Sequence, residues 1–395
     1  MSYLSAREAA AELGVSLPTL YAYVSRGLVR SEPDGEGRAK RYRAEDVRSL
    51  RARRAPPAES AAASANAFAW GAPVLDSAIT LIGADGPVYR GVPASDLAAH
   101  ASLEHVALLL WDAGGGDPFS APILDDPVVE RVIADLKDAT CIDRAAAIMG
   151  MAGARDEGVH SRAREGRAIA GARIIRLLTH AVAPQAPHGL AAHRAIASAW
   201  SPSHPQAENL VRRALVLMAD HELNASTFAT RVAASAGANL YDCVAAGLAT
   251  LKGNRHGGAA LRALRLVQNF QQRDPIAEAR EKAALGESFP GFGHPLYGDG
   301  DPRGGNLLAA LDQAGADHRL TRIGPAAVLA ATGERPNIDY ANAVLAVHLG
   351  WPEGAPLALF AVARSAGWIA HAIEQSSRRE IIRPRARYTG PAPKG

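Results

Sequence analysis

From Asp220 to Ala259 the chain reads DHELNASTFATRVAASAGANLYDCVAAGLATLKGNRHGGA, a polar cluster at each end of a long alanine-rich stretch with little polarity between. Such a stretch favours helix and close packing on small side chains. The two clusters therefore lie about a helix length apart along the chain, and a site that joins them is closed by folding. The remaining sequence agrees: apolar residues make up 48% of the 395 and aromatic residues 5%, which suits tightly packed helices better than a β-sandwich. The expected fold class is all-α, with length enough for two or more domains.

Cys141 and Cys243 stand in unlike apolar contexts, with no CxxC or His/Cys ligand spacing, which argues against a disulfide framework and against zinc. The N-terminus lacks a basic-then-apolar leader and no run approaches the roughly 20 apolar residues of a membrane span, so the expectation is a soluble cytoplasmic protein. Net charge is +3, yet Met1 to Ala55 hold eleven Lys/Arg against seven Asp/Glu, or +4, leaving 3 − 4 = −1 for the rest.

That basic excess sits on a distinctive segment, YLSAREAAAELGVSLPTLYAYVSRGLVRSEPDGEGRAKRYRAEDV. Ser5 with Glu8 forms a capping box for a helix that stops at Gly14, and Ser16 caps a second helix with Pro18 in its first turn, ending before Gly27. Two short helices joined by a turn containing glycine are a helix-turn-helix signature. Arg26, Arg30, Arg38, Lys40, Arg41 and Arg43 offer phosphate contacts, the last four as a wing after the Asp34–Gly37 turn. The segment resembles the MerR-like helix-turn-helix module, which implies binding to double-stranded DNA; docking on the body or on a partner is the other use of so small a module. Expected boundaries are residues 1–54 for this domain, 55–70 for a Pro/Ala/Ser-rich linker and 71–395 for the body.

In the body, VLDSAITLI, a GADG turn and PVYRG form the only convincing strand material, a short hairpin. Ala94 to Trp111 carries Leu97, Leu103, Val106, Leu109 and Leu110 at helical intervals. The GGGD loop lacks the Lys-Ser/Thr of a phosphate loop and reads as a plain turn. His160, His180, His188 and His193 are scattered without ligand spacing, as core or solvated histidines are.

Four polar groups of residues then follow. In Asp220–Ser226, His221 and Asn224 either belong to a site or cap the helix after them. His256, before two glycines and a new helix, lies near exposed backbone N–H groups that disfavour its protonation; a neutral imidazole there can donate to a developing enolate oxygen, or serve only as a turn residue. In GFGHPLYGDGDPR, glycines on both sides of Phe292 permit close backbone approach while His294 and Arg303 converge on a carbonyl and a carboxylate. Asp339, in PNIDY before an apolar helix, has helix capping as its commonest use.

Taken together and in order, DHELNAST, LKG..HGGA, GFGH...(D)PR, PNIDYANAVL, ARSAGWIAHAIEQ and IIRPRARYTG are similar to the motifs of the citrate synthase family, and VYRGVPASDLAAHASLEHVALLLW resembles an early segment of it. The resemblance runs from Val74 to Gly390 and implies an all-α fold with a large helical domain and a smaller one, about 257–349, that closes over substrates. It implies an acyltransferase that condenses acetyl-CoA with oxaloacetate and hydrolyses the resulting citryl-CoA, with no metal and no cofactor beyond the acyl-CoA substrate. By motif position, Asp339 would be the base, His256 would stabilise the enolate and His294 would polarise and protonate the keto group. His221, Arg303 and Arg364, with help from Asn224, would hold oxaloacetate, and Arg383 would reach in from the second subunit of a homodimer. Propionyl-CoA as donor, making a 2-methylcitrate synthase, and a DNA-binding regulator that senses oxaloacetate, citrate or CoA are the alternatives. The family's Asn-Glu after HGGA is Ala260-Leu261 here, and Pro295 and Gly298 stand where a CoA-contacting basic residue is common, which leaves acyl choice open.

Overall fold

A computed structural model describes residues 3–13, 15, 17–25, 29–33, 40–44, 46–47, 75–124, 126–386 and 388–391. The chain forms two compact units, Met1–Asp76 and Ser77–Gly395. Expectations that fall on Gly14, Ser16, Arg26, Gly27, the Asp34–Gly37 turn, Arg38 and the 55–70 linker lie outside the described residues.

The first unit has helices Ala6–Leu13 and Leu17–Ser25. Its capping box forms: Ser5 N donates to Glu8 Oε2 at 2.8 Å and Glu8 N to Ser5 Oγ at 3.3 Å. A three-stranded antiparallel sheet accompanies them, with β1 (Tyr3–Ser5), β2 (Ser31–Pro33) and β3 (Lys40–Arg43) in the order β1-β3-β2. This corrects the expectation that strands occur only in the body. Lys40–Arg43 is almost wholly charged and shows no apolar alternation, so its strand character comes from pairing on both edges around Tyr42, which packs with Ala9, Leu20, Val29 and Val47.

In the second unit the hairpin forms from β4 (Thr80–Gly83) and β5 (Gly86–Tyr89), and β6 (Val92–Pro93) adds a third strand. Helices make up the remainder. The expected single helix over Ala94–Trp111 is two, Ala94–His100 and Leu103–Trp111, because Ser102 caps the second by accepting from His105 N. The helix Ala355–Ser376 is the centre of the unit, packed against Ala225–Ser235, Leu240–Leu251 and Leu103–Trp111. Contrary to the sequence reading, it has the length and apolarity of a membrane span; 83% of its apolar window is buried inside the protein, as in a core helix. Both cysteines are free thiols.

Three sets of contacts hold the polar clusters in register. The buried Tyr89 hydroxyl lies between the carbonyls of Val216 and Asp220 at 3.1 and 3.2 Å and accepts from Asp220 N at 3.3 Å, tying the hairpin to the DHEL segment. Gly367 N donates to Ala219 O at 3.1 Å, and a Cβ on Gly367 would lie 2.2 Å from Asp220 Oδ1, so only glycine lets the central helix approach so closely. The GFGH and PNID segments are joined by Gly293 N to Arg335 O at 2.9 Å, Asn337 N to Gly291 O at 2.8 Å and Asn337 Nδ2 to Gly293 O at 2.9 Å.

Candidate active site

In the helix Ile338–His348, capping falls to a residue other than Asp339. Asn337 is its N-cap: its side-chain oxygen accepts from Asp339 N at 2.9 Å and from Tyr340 N at 3.4 Å. Asp339 is the second residue of the helix, in its first turn, and among the described residues its carboxylate has no hydrogen-bond partner. Burial raises its proton affinity above the ordinary value of 3.8, opposed by the charge of Arg303, supported by that of Asp301 and opposed again by Arg364. A carboxylate so placed is a stronger base than a solvated one.

Three guanidinium groups act on it: Arg303 and Arg364, both almost wholly buried, and the exposed Arg262, the weakest of the three. Arg303 forks onto Asp301 through Nε at 2.9 Å and Nη2 at 2.8 Å, and Asp301 also accepts from Ile338 N at 3.0 Å. Burial opposes charge on both partners, and their pairing outweighs it, so each is held in its ionised form. Arg364 is different. Its Nε donates to Met218 O at 3.0 Å and its guanidinium lies 4.6 Å from the Phe360 ring centre, but among the described residues its terminal nitrogens meet no hydrogen-bond partner. Burial lowers its pKa to about 10; Asp220 opposes that shift and Arg303 adds to it. A buried guanidinium with free donors is a place for an anion.

The three expected histidines are all held neutral at pH 7. His221 Nε2 is 2.9 Å from Tyr297 Oη, and its ring meets that of His294 edge to face at 5.2 Å. Burial lowers its pKa, with Arg303 and Arg364 adding to the effect. Burial and then Arg303 lower that of His294. Because Leu296 N donates to His294 Nδ1 at 3.1 Å, neutral His294 carries its proton on Nε2 and can donate from there. His256 falls to about 4, through burial first and Arg364 second; burial, not the following helix terminus, is the main cause.

His256 Nε2 lies 3.0 Å from Ser226 Oγ, which also accepts from Trp368 Nε1 at 3.2 Å and donates to Asn224 Oδ1 at 2.7 Å. Trp368 can only donate, so the single Ser226 proton has two acceptors to choose between, Asn224 and His256. The two polar clusters of the Asp220–Ala259 stretch thus meet at one hydroxyl.

Of the expected residues, the structure sets His221, His294, Arg303, Arg364 and Asp339 within one electrostatic neighbourhood, to which Arg364 also joins His256. Asn224 is the N-cap of Ala225–Ser235, its oxygen accepting from Thr227 N at 3.0 Å, as the capping alternative has it. Arg383 is exposed on the C-terminal segment. Sequence reasoning missed Ser226, Tyr297, Trp368 and Asp301. Asp301, just before Pro302 at a helix start, had a legible capping signal; the other three are placed by folding alone. It also missed that His371 lies 3.4 Å from Asp220 Oδ2 and 3.1 Å from Arg231, in a buried chain that ends on Glu374.

The model of the citrate synthase C-terminal domain matches residues 68–385, and that of a helix-turn-helix domain matches residues 3–55. The chain belongs to the citrate synthase family. It is similar to the citrate synthase of Haloferax volcanii, 39% identical over 185 residues, 45% of this chain; the match spans about half that relative's length, 49%. It is similar to the 2-methylcitrate synthase of Mycobacterium tuberculosis, 30% identical over 76% of this chain and 84% of the relative. Among solved structures, citrate synthase from Thermotoga maritima superposes with a TM-score of 0.70 at 25% identity, over 84% of this chain and 97% of that one. The relatives and the first family match support a citrate synthase-type acyltransferase, and the second match supports an N-terminal helix-turn-helix domain.

Proposed function

We propose that the chain condenses acetyl-CoA with oxaloacetate and hydrolyses the citryl-CoA product to citrate and CoA. The observation that carries this reading is Asp339, freed from capping by Asn337, raised in basicity by burial and facing two buried guanidinium groups. Asp339 takes a proton from the acyl methyl group. The thioester oxygen gains charge as the proton leaves, and His256 donates to it. For this, Ser226 turns its proton from Asn224 Oδ1 to His256 Nε2, giving up the Asn224 bond, which leaves the imidazole proton on Nδ1 as the donor. The enol carbon then bonds to the keto carbon of oxaloacetate while His294 supplies its Nε2 proton to the keto oxygen, and the proton that Asp339 took up is passed back to restore His294. Water finally attacks the thioester, releasing CoA as the thiol.

Oxaloacetate brings two carboxylates. Arg364 has free donors for one; Arg303 and His221 flank the same space, and the exposed Arg383 of a second copy completes the set in a homodimer. Residues 257–349 close on the rest of the body to exclude water before the thioester forms its adduct. No metal enters this scheme, and the acyl-CoA is a substrate. Propionyl-CoA is the donor in the second version of the same chemistry, favoured by the 2-methylcitrate synthase relative.

The test is thiol release from acetyl-CoA and from propionyl-CoA, each with and without oxaloacetate, for the wild type and Asp339→Ala. Oxaloacetate-dependent release that the substitution abolishes supports the synthase, and the ratio of rates names the donor. No release from either donor, with oxaloacetate still raising Tm, refutes it and leaves a ligand-sensing regulator. The helix-turn-helix domain favours that second reading. Tyr21 is 52% exposed on its second helix, Lys40 is exposed on β3, and the ion pairs of Arg41 and Arg43 with Glu32, at 3.5 Å, are surface pairs that phosphates can displace.

A further inference from the structure

We propose that Glu130, His180 and His188 bind a divalent transition-metal ion, zinc by preference, at a site separate from the residues around Asp339. In sequence the two histidines have no ligand spacing. Folding brings them together: His180 ends the helix Arg164–Val182, the chain then turns back to place His188, and Glu130 reaches in from the helix Pro127–Asp135. One donor atom from each lies within 4.8 Å of the others. His180 Nε2 is 3.1 Å from both Glu130 oxygens, and the two imidazole rings lie 4.3 Å apart. With bonds of about 2.1 Å, a tetrahedral ion needs donors about 3.4 Å apart, so small side-chain shifts complete three of its four positions.

The chemistry of the set points the same way. Two imidazoles with one carboxylate suit zinc, cobalt or nickel, whereas magnesium and calcium prefer all-oxygen shells. The three groups border a cavity of about 40 Å³, room enough for a water as fourth ligand. Arg173 and Arg176 line the same cavity and oppose a cation; Arg173 is paired with Asp156 at 2.5 Å, whereas Arg176, held by the carbonyls of Ala121 and Phe119, has its charge offset only by the fields of Asp117 and Glu104, and the Glu130 carboxylate supplies the anionic ligand against it. Among the described residues His188 has no hydrogen bond of its own. The ion would clip the turn after Val182 to the Pro127–Asp135 helix, a structural role that leaves the proposed reaction untouched.

The experiment uses the full chain stripped with EDTA, titrated with Zn2+ by calorimetry and followed by thermal unfolding, with Co2+ as a spectroscopic probe of geometry. The wild type is expected to bind one Zn2+ per chain with a rise in Tm, and to give the strong visible absorption of tetrahedral Co2+. In His188→Asn, which alters an exposed side chain, and in Glu130→Gln, affinity falls by about tenfold or more, while Asp339→Ala keeps the site. Zn2+ titrations of the wild type that match those of a His180→Asn/His188→Asn double variant would overturn the proposal, as would weak, octahedral Co2+ absorption.

Discussion

Replacing Ser226 by alanine removes one oxygen and nothing else, at the point where the two polar clusters meet. Ser226 is fully buried, so no ligand touches it, and its effect on the reaction must pass through His256. Two costs follow. The indole N–H of Trp368, 0% exposed, loses its acceptor at 3.2 Å, and an unsatisfied buried donor costs about 1–3 kcal/mol. His256 is half-buried and can turn to water, so it adds little. At about 2–4 °C per kcal/mol, Tm falls by roughly 2–12 °C. Catalysis suffers more: without the Ser226 proton, the imidazole is no longer held as an Nδ1–H donor, and loss of one such donor to a developing oxyanion lowers kcat by roughly 10²–10³-fold. The assay is thiol release under saturating acyl-CoA across an oxaloacetate series, with the KM for oxaloacetate expected to hold. A folded Ser226→Ala protein with wild-type kcat would refute the role given to the Ser226–His256 bond, and a drop in KM-dependent binding alone would place Ser226 with the oxaloacetate groups.

Gly367→Ala puts a methyl group 2.2 Å from Asp220 Oδ1 and 2.7 Å from the Ala219 carbonyl; overpacking against backbone is expected to cost about 1–3 kcal/mol or more, measured by denaturant unfolding. Arg364→Lys keeps the charge but loses the planar fork, and the KM for oxaloacetate is expected to rise by about tenfold or more in steady-state assays. Because Asp339 must be ionised to act and its proton affinity is raised, kcat should fall on the acid side at a pH above 3.8, and the limb should vanish with the activity in Asp339→Asn. His256 adds a stability effect of definite sign: its folded pKa of about 4 lies below 6.5, so its contribution is complete above pH 6.5 and is lost as pH falls toward 4, seen as falling Tm that His256→Gln reduces. If the N-terminal unit binds duplex DNA, Lys40→Ala should weaken binding for all sequences and reduce the salt slope by about one in fluorescence anisotropy, whereas no binding at low salt would leave docking as the use of that unit.

Local chemistry was legible in the sequence. The Ser5–Glu8 capping box, the 80–89 hairpin and the helical character of the body follow from side chains acting on their near neighbours, and the ordered motifs named the family. Misjudged elements share a cause. Lys40–Arg43 becomes a strand only because β1 and β2 pair with it, and Ala355–Ser376 is as apolar as a membrane span because other helices surround it. Capping, the commonest use of an Asp at the position of Asp339, fell instead to Asn337, which only the placement of the helix start could show.

The sequence alone determined which chemical groups the protein has and in what order, because helix signals, turns and motifs depend on residues a few positions apart. Tertiary structure decided what those groups can do. It brought Ser226 to His256 across 30 residues and set Arg364 where burial and Arg303 lower its pKa to about 10. It also gathered His180, His188 and Glu130 from two helices and a turn. Proton affinity and ligand geometry depend on the dielectric and on neighbours through space, and neither exists for a group until the chain has closed around it.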